Sequence, residues 1–513
     1  VSDTAQPQNP TAPPQAIAGG GCCGVSACCT DAEQAVDPGS TVVQAKTEAG
    51  CGCLDTPRDD RDALPVVVIG AGPVGLSAAA HLAERGLDFL VLEAGDRVGA
   101  SIRQWSHVAL FSPWRYGIDP AARRLLDAAG WAAPDPDALP TGGRLVGDYL
   151  EPLAALGPIA PRLRTGTRVE AISRAGYDRV RSAGRENAPF VLRVRHTDGT
   201  AAQIRARAVI DASGSWATPN VLGATGLPAL GEAQAAPWIS HALPDVLGAD
   251  RDDFAGGHTL VAGAGHSAAT TLIALAELAE TEPGTRVTWA IRGASAARTY
   301  GGGSGDQLPA RGRLGTLVQH LVTTGKITLL TGFFTDELRP LAATPDLGGV
   351  QVISRDPYGA EQTVTADRIV AATGYRPDHS IAAELRLRLD AILGTTPALA
   401  PLIDPNEHSC GTVPPHGVDE LAHPETGYYA IGVKSYGRAP TFLLATGYEQ
   451  ARSVVAALAG DWDAARAVEL DLPETGVCSA DNAIGLGTGI SGGLLARPLA
   501  TANAGDRGAS CCG

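Results

Sequence analysis

Residues Leu64 to Glu93 leave little freedom about the fold. Val66, Val67, Val68 and Ile69 form an unbroken β-branched run, the pattern of a strand covered on both faces of a parallel sheet. The run stops at Gly70-Ala71-Gly72-Pro73-Val74-Gly75. Gly70 suits a tight turn, Gly72 lets a phosphate approach the backbone, and Gly75 lets a helix starting there pack close to the strand. That helix turns its free N–H groups and positive end toward the phosphates. A second strand, Phe89 to Leu92, ends at Glu93, 93 − 75 = 18 residues past the last glycine, where a carboxylate can accept hydrogen bonds from ribose hydroxyls. A glycine triplet alone says little. With both strands, the helix and the acid in place, the stretch reads as a dinucleotide-binding β-α-β unit.

A second unit begins at Thr259. Thr259 to Ala262 is its strand, Gly263-Ala264-Gly265-His266-Ser267-Ala268 its turn, and Ala269 to Glu280 an Ala/Leu-rich helix. Alanine at the third small position still permits close helix–strand packing. Its second strand, Val287 to Ile291, is followed by Arg292, with Arg298 close behind, where a site for NADH would place an acid. A guanidinium pairs with a 2′-phosphate that a carboxylate would repel, so the reading favours NADPH.

The 513 residues exceed one core and predict two or three domains. A formal net charge of −15 argues against nucleic acid or an anionic membrane as partner, because both demand a basic face. Neither a membrane span nor a secretory signal is evident, which gives a cytoplasmic expectation. Residues 1–62 have loop composition and read as a disordered, Cys-rich arm, and residues 466–513 as a flexible tail. Residues 63–217 then form the first part of one domain, 218–364 an inserted second domain, and 365–465 the return to the first.

Within the body, Trp105 and Trp114 stand beside Arg103, His107 and Arg115, either as plain core or as a wall for a planar ring. Pro120 to Ala129 and Leu145 to Leu156 read as helices. Arg162 to Ile172 and Pro189 to Arg195 read as strands. Ala206 to Trp216 is a buried strand running into a glycine turn, Thr218 to Asp245 a connecting stretch, and Ile327 to Leu330 and Gly349 to Ile353 further strands. Asp367 to Asp378 is a buried strand ending in the turn at Thr373 and Gly374. A late strand and loop, Gly427 to Thr441, precede a helix from Phe442 to Leu458.

Two such units about 190 residues apart, with Ala372-Thr373-Gly374-Tyr375 after the second, resemble the two-dinucleotide-binding-domain flavoproteins. The resemblance covers about residues 64 to 460. It implies an α/β fold of two Rossmann-like domains, with the NADPH domain inserted in the FAD domain. The turns look like those of flavin-containing and Baeyer–Villiger-type monooxygenases. Phe111 to Tyr116 and Lys434 to Thr441 look like the flavin monooxygenases encoded beside bacterial arsenic-resistance genes. Carried over by residue, Gly70, Gly72, Pro73, Gly75 and Glu93 would bind FAD, with Val169 at its adenine. Gly263, Gly265, His266, Ser267 and Arg292 would bind NADPH, and Thr373 and Gly374 would complete the cofactor sites. His107, Arg115, Lys434, Tyr436 and Arg438 are the catalytic candidates around the ring.

The chain departs from that pattern in two places. The monooxygenase fingerprint before the second turn survives only as a loose echo at Trp238 to His241. Gly432-Val433 also stands where many relatives have Gly-Asp. The cysteines pull elsewhere. Cys22-Cys23, Cys28-Cys29 and Cys511-Cys512 are vicinal pairs, too short to close a relaxed internal disulfide but able, when reduced, to offer two soft thiolates to a thiophilic metalloid. The ending Ser510-Cys511-Cys512-Gly513 resembles that of mercuric reductase and large thioredoxin reductases, yet no cysteine lies between Cys53 and Cys410. Three functions remain open at this point. One is an NADPH- and FAD-dependent monooxygenase of a small substrate, linked to metalloid detoxification. The others are a reductase of a disulfide or metal ion through the tail cysteines, and a metalloid-binding sensor without turnover.

Overall fold

The computed structural model describes residues 61–241, 243–301, 309–408 and 413–470. All ten cysteines, and with them every expectation placed on Cys22, Cys23, Cys28, Cys29, Cys410, Cys511 and Cys512, lie outside the described residues, as do the expected arm up to residue 60 and the tail from 471.

The chain opens with β1 (Val66–Ile69), α1 (Pro73–Glu84) and β2 (Phe89–Leu92). α1 starts two residues before the expected Gly75, because Pro73 at its first position presets a helical φ and needs no N–H partner there. α2 (Pro120–Ala128) is capped by Asp119, which accepts from the Ala122 N–H at 2.8 Å. The same buried carboxylate accepts from Ser77 Oγ at 2.9 Å and meets His81 Nε2 at 3.1 Å, tying α2 to α1. The helix expected over 145–156 runs from Gly142 to Ala154, with a π-helical stretch at Leu145–Leu150. There follow β3 (Leu163–Arg164), β4 (Thr167–Arg174), β5 (Phe190–His196), β6 (Ala201–Ala206), β7 (Ala208–Asp211), β8 (Ile239–His241), β9 (His258–Ala262), α3 (His266–Thr281), β10 (Arg286–Ala290), α4 (Pro309–Thr323), β11 (Thr328–Leu330), β12 (Thr335–Pro340), β13 (Val350–Arg355), β14 (Glu361–Ala366), β15 (Arg368–Ala371), β16 (Tyr428–Ala430) and α5 (Leu444–Leu458).

Two parallel sheets organise the body, ordered β16-β7-β1-β2-β3 and β11-β10-β9-β15-β8. Each carries an antiparallel three-stranded layer, β4-β5-β6 with the first and β12-β13-β14 with the second. Alternation along β1 shows how the first sheet is covered. Val66 and Val68 pack toward α1 and α5 with Leu76, Leu82 and Val454, whereas Val67 and Ile69 pack toward Phe190, Leu192 and Val194 of β5. In the second sheet Val261 and Trp289 face Leu272, Leu275 and Val318, while Leu260 and Ile369 face Val350 and Val352. Burial on both faces is why these strands read as continuous apolar runs.

Several expectations need correction. The strand expected over 162–172 is broken at Gly166 (φ +59°), so β3 joins the first parallel sheet and β4 starts the antiparallel layer. The connecting stretch 218–245 contains β8, an edge strand paired with β15. The boundary expected at 364/365 falls too early. β15 pairs in parallel with β9, Ile369 opposite Leu260, so the second module keeps this strand and the chain returns to the first only after it.

Candidate functional site

Three glycines of the first turn meet different surroundings. Gly70 takes φ +97°, and a Cβ there would fall 2.7 Å from the Ala212 carbonyl oxygen at the end of β7. A Cβ on Gly75 would run into the Gly70 carbonyl, 3.0 Å from its carbon. At Gly72 nothing lies within 4 Å, so the backbone is open at the N-terminus of α1. Glu93 reaches back over this turn: Oε2 accepts from the Ala71 N–H at 2.7 Å and Oε1 from the Gly95 N–H at 2.8 Å. A carboxylate can accept about four hydrogen bonds, so capacity remains for ribose hydroxyls. An open backbone cradle at a helix start, with an acid beside it, fits the pyrophosphate and ribose of FAD. Val169 lies on β4, buried in the layer behind β1 and β2.

The second turn repeats the plan. Gly263 (φ +136°) is sealed by Ala372 at the end of β15, whose carbonyl carbon would lie 2.7 Å from an added Cβ. Gly265 has nothing within 4 Å, and Ala268 at the third small position is fully buried. The His266 ring lies 5.0 Å from that of Phe111. This turn opens into a cavity of about 660 Å³ lined by Gly263, Gly265, Ser267, Arg292, Arg298 and Tyr375 among others. Arg292 is exposed and donates to the Ala224 carbonyl at 3.0 Å. The fit is to a dinucleotide carrying an extra phosphate.

Two linkers join the modules, and they are paired. Asn220 on the outgoing strand bonds the returning one three times: Nδ2 to the Thr373 carbonyl at 2.9 Å, N–H to the Gly374 carbonyl at 2.9 Å, and its own carbonyl to Thr373 Oγ1 at 2.8 Å. Trp216 stacks on Tyr375 with ring centroids 4.9 Å apart, faces Trp105 at 6.4 Å, and donates from Nε1 to Gln104 Oε1 at 2.9 Å. Burial pushes the Tyr375 phenol up to about 12.

The five catalytic candidates are not gathered in one constellation. Lys434 is buried, its Nζ bonding Asp211 Oδ2 at 2.7 Å and Ser213 Oγ at 2.9 Å. Tyr428 donates to the same Asp211 oxygen at 2.9 Å. Burial drives the Asp211 carboxyl upward, but the Lys434 charge and its hydrogen bonds outweigh that and hold it below the usual aspartate range. Tyr436 is fully buried in the first module's core, against His416 and Phe442. His107 and Arg438 are exposed, and Arg115 is an exposed partner of Asp137. None of the five lines the cavity. Of the two tryptophans, Trp114 is core and Trp105 joins the linker stack.

Asp211, Asn220 and Gln450 are not singled out by the sequence, and Tyr375 is marked there only as the end of the Ala372–Tyr375 motif, without a role. Gln450 Oε1 accepts from the Gly432 N–H at 2.7 Å and so fixes the turn containing Val433. One signal for Asp211 was available, an acid closing an otherwise apolar buried strand. The others depend on partners more than a hundred residues away or, for Gln450, on a helix face. Among the described residues no cluster of three or more His, Cys, Asp or Glu could hold a metal, and no helix is long and apolar enough to cross a membrane.

Residues 68–128 match the model of an NAD(P)-binding Rossmann-like domain. No curated protein sequence matches this one. Among solved structures, the bacillithiol disulfide reductase Bdr (YpdA) of Bacillus cereus is similar over 77% of this chain and 99% of its own, at 20% identity and a TM-score of 0.56. The FAD-bound cadaverine monooxygenase DfoA of Erwinia amylovora is similar over 80% of this chain and 97% of its own, at 14% identity and a TM-score of 0.55. The ornithine hydroxylase PvdA of Pseudomonas aeruginosa covers 78% of this chain and 99% of its own, at 17% identity and a TM-score of 0.50. The chain thus has the two-module fold found in FAD- and NAD(P)-dependent flavoprotein oxidoreductases.

Proposed function

We propose that this chain is an FAD-dependent NADPH oxidoreductase that oxygenates a small substrate. The observation that carries the reading is the matched pair of open glycine turns, one overhung by Glu93 and the other beside Arg292, which supports FAD in the first module and NADPH in the second. When bound, FAD supplies hydride acceptance and the onward delivery of electrons to oxygen. NADPH, a proton, oxygen and substrate then yield NADP⁺, water and the oxygenated product.

The chain's own residues position the partners. Gly72 and the start of α1 hold one pyrophosphate and Gly265 and the start of α3 the other, with Arg292 and Arg298 on the 2′-phosphate. The Lys434–Asp211–Tyr428 cluster fixes the carboxyl ends of β7 and β16, where ligands of open parallel sheets bind. The paired linkers and the Trp216–Tyr375 stack hold the modules in register. Oxygen is favoured as acceptor because no cysteine lies between Cys53 and Cys410, so the body carries no dithiol to exchange.

The vicinal pair Cys511-Cys512 favours a second reading, reduction of a disulfide or metal ion. A metalloid role fits the vicinal thiols, with trivalent arsenic as the first species to test. The deciding experiment reduces the flavin-loaded protein anaerobically with NADPH, follows the visible flavin band, then admits air with and without trivalent arsenic. Bleaching by NADPH and substrate-dependent oxygen uptake that survives deletion of residues 471–513 support the proposal. NADPH oxidation that needs no oxygen, proceeds with a disulfide, and disappears in the C511S/C512S protein overturns it in favour of the reductase. Flavin that NADPH leaves oxidised points instead to a binding protein.

A further inference from the structure

The walls of the 660 Å³ cavity carry more positive charge than one dinucleotide explains. In a chain of net charge −15, their described residues include Arg292, Arg298 and Arg376, together with Arg311, whose side chain is already engaged, and no aspartate or glutamate. Arg292 and Arg298 follow β10 and suit the 2′-phosphate. Arg376 belongs to a different segment. It sits on the returning linker, its N–H bonded to the Thr218 carbonyl at 3.0 Å, and lines the cavity together with Pro440 and Thr441 of the first module. Its guanidinium forms no hydrogen bond or ion pair with any described residue, and neither does that of the exposed Arg438, three residues before Thr441. Burial and then the nearby Arg438 charge hold the Arg376 guanidinium below its ordinary value. Like charges left without a counter-charge destabilise each other, and an anion between them removes that cost.

A second observation falls on the same wall. Thr441 is 4% exposed and its Oγ1 is buried without a hydrogen-bond partner among the described residues. Buried hydroxyls are ordinarily paired, so this one is available to donate to a ligand. α5 begins at Leu444, with no acid in its first turn and no side-chain cap, which adds its positive end to the local field.

The geometry points to a second anion site at this edge of the cavity, formed by Arg376 and Thr441 Oγ1 of its wall with Arg438 just outside the lining, that takes a small carboxylate or oxyacid anion. Resting on the function proposed above, this anion is the charged end of the substrate. A guanidinium fork binds two oxygens of such a group, and the threonine hydroxyl donates to a third acceptor position. A substrate so anchored presents its uncharged end to the seam between the modules.

The test is a binding titration of the flavin-loaded full-length protein with benzoate and, separately, inorganic phosphate, each with and without saturating NADP⁺. Tryptophan fluorescence is the readout, because Trp216 stacks on Tyr375 next to Arg376. The expected result is binding of at least one probe that persists with NADP⁺ present. Arg376→Ala and Arg438→Ala should each weaken it about tenfold or more, the loss of a charge-assisted pair. Arg292→Ala should weaken NADP⁺ and leave the probe within about twofold, since that arginine faces another ligand group. Benzoate binding more tightly than phosphate identifies a carboxylate, and the reverse an oxyacid. Because Arg376 lies in a linker, Arg376→Lys serves as the folded control and should recover part of the affinity. The proposal is overturned if NADP⁺ displaces both probes, if Arg376→Ala weakens NADP⁺ as much as the probe, or if neither arginine substitution changes probe binding. Binding needs no turnover, so failure of the oxygenase reading would leave this result standing.

Discussion

Alanine substitutions in the first glycine turn separate holding the fold from holding the ligand. At Gly75 a Cβ would press into the Gly70 carbonyl, 3.0 Å from its carbon. Relief requires α1 to lift from β1, disturbing Leu76 and Val68, both 0% exposed. Overpacking of this kind costs roughly 1–3 kcal/mol, against which alanine in a helix returns at most about 1 kcal/mol. At Gly72 the sign differs. Its φ of −81° and ψ of −174° suit alanine, and nothing lies within 4 Å, so stability should change by less than about 0.5 kcal/mol. The added methyl would instead stand where a phosphate must approach. Losing one charge-assisted hydrogen bond from backbone N–H to phosphate is worth roughly 1.5–3 kcal/mol, a factor of about ten to a hundred in affinity. Urea midpoints of the apoprotein and FAD titrations measure the two quantities independently. Gly72→Ala is expected to melt like the parent and bind FAD at least tenfold more weakly, and Gly75→Ala to be clearly destabilised. The reasoning fails if Gly72→Ala binds FAD as tightly as the parent, or if Gly75→Ala is as stable. Gly265→Ala supplies the counterpart, with weaker NADPH binding and unchanged flavin content.

Other outcomes follow from particular contacts. Arg292→Ala should lower the preference for NADPH over NADH by about ten- to a hundredfold, checked by steady-state kinetics with both nucleotides. Lys434→Met leaves the Asp211 carboxylate buried and unpaired, at a cost of about 3–5 kcal/mol, and Asp211→Asn in the same chain should recover part of it. Because the folded Asp211 lies below its unfolded value, its contribution is fully present above about pH 4 and is lost as pH falls further, so the parent and Asp211→Asn urea midpoints should converge in acid. His423 behaves differently: burial first, and then the His379 charge, push it down to about 4. The unfolded chain therefore binds the extra proton between about pH 6.5 and 4, and roughly 3 kcal/mol of stability should drain away over that window. His423→Gln should flatten this slope, read from chemical denaturation at half-unit pH steps.

What could be read from the sequence was whatever a short window contains. β1, β2, β9 and β10 lie within a residue or so of expectation because each is a buried apolar run bounded by a turn signal. β6, β8, β12 and β14 are not legible in the sequence: Ala201–Ala206 is alanine-rich without alternation, Glu361–Ala366 is mostly exposed and polar, and these two are strands by pairing with β5 and β13. The linker pairing was equally invisible. Asn220 is an ordinary residue, and Thr373 only a cofactor candidate, until the inserted module brings positions 153 apart into contact. Lys434 was flagged, but its role turns on Asp211, 223 residues away, and the pair is satisfied internally rather than presented to a ring.

The way each glycine turn is sealed has a bearing on module exchange. Ala212 closes the first turn just as the chain leaves its home sheet, and Ala372 closes the second just as it turns back. Each sealing residue lies at the mouth of a linker, so a graft cut at 364/365 would strip the donor of β15 and leave Gly263 without its lid. A transplantable second module must run from the Trp216 side of the outgoing linker through Tyr375. Its recipient must then supply the Gln104 acceptor that receives the Trp216 indole.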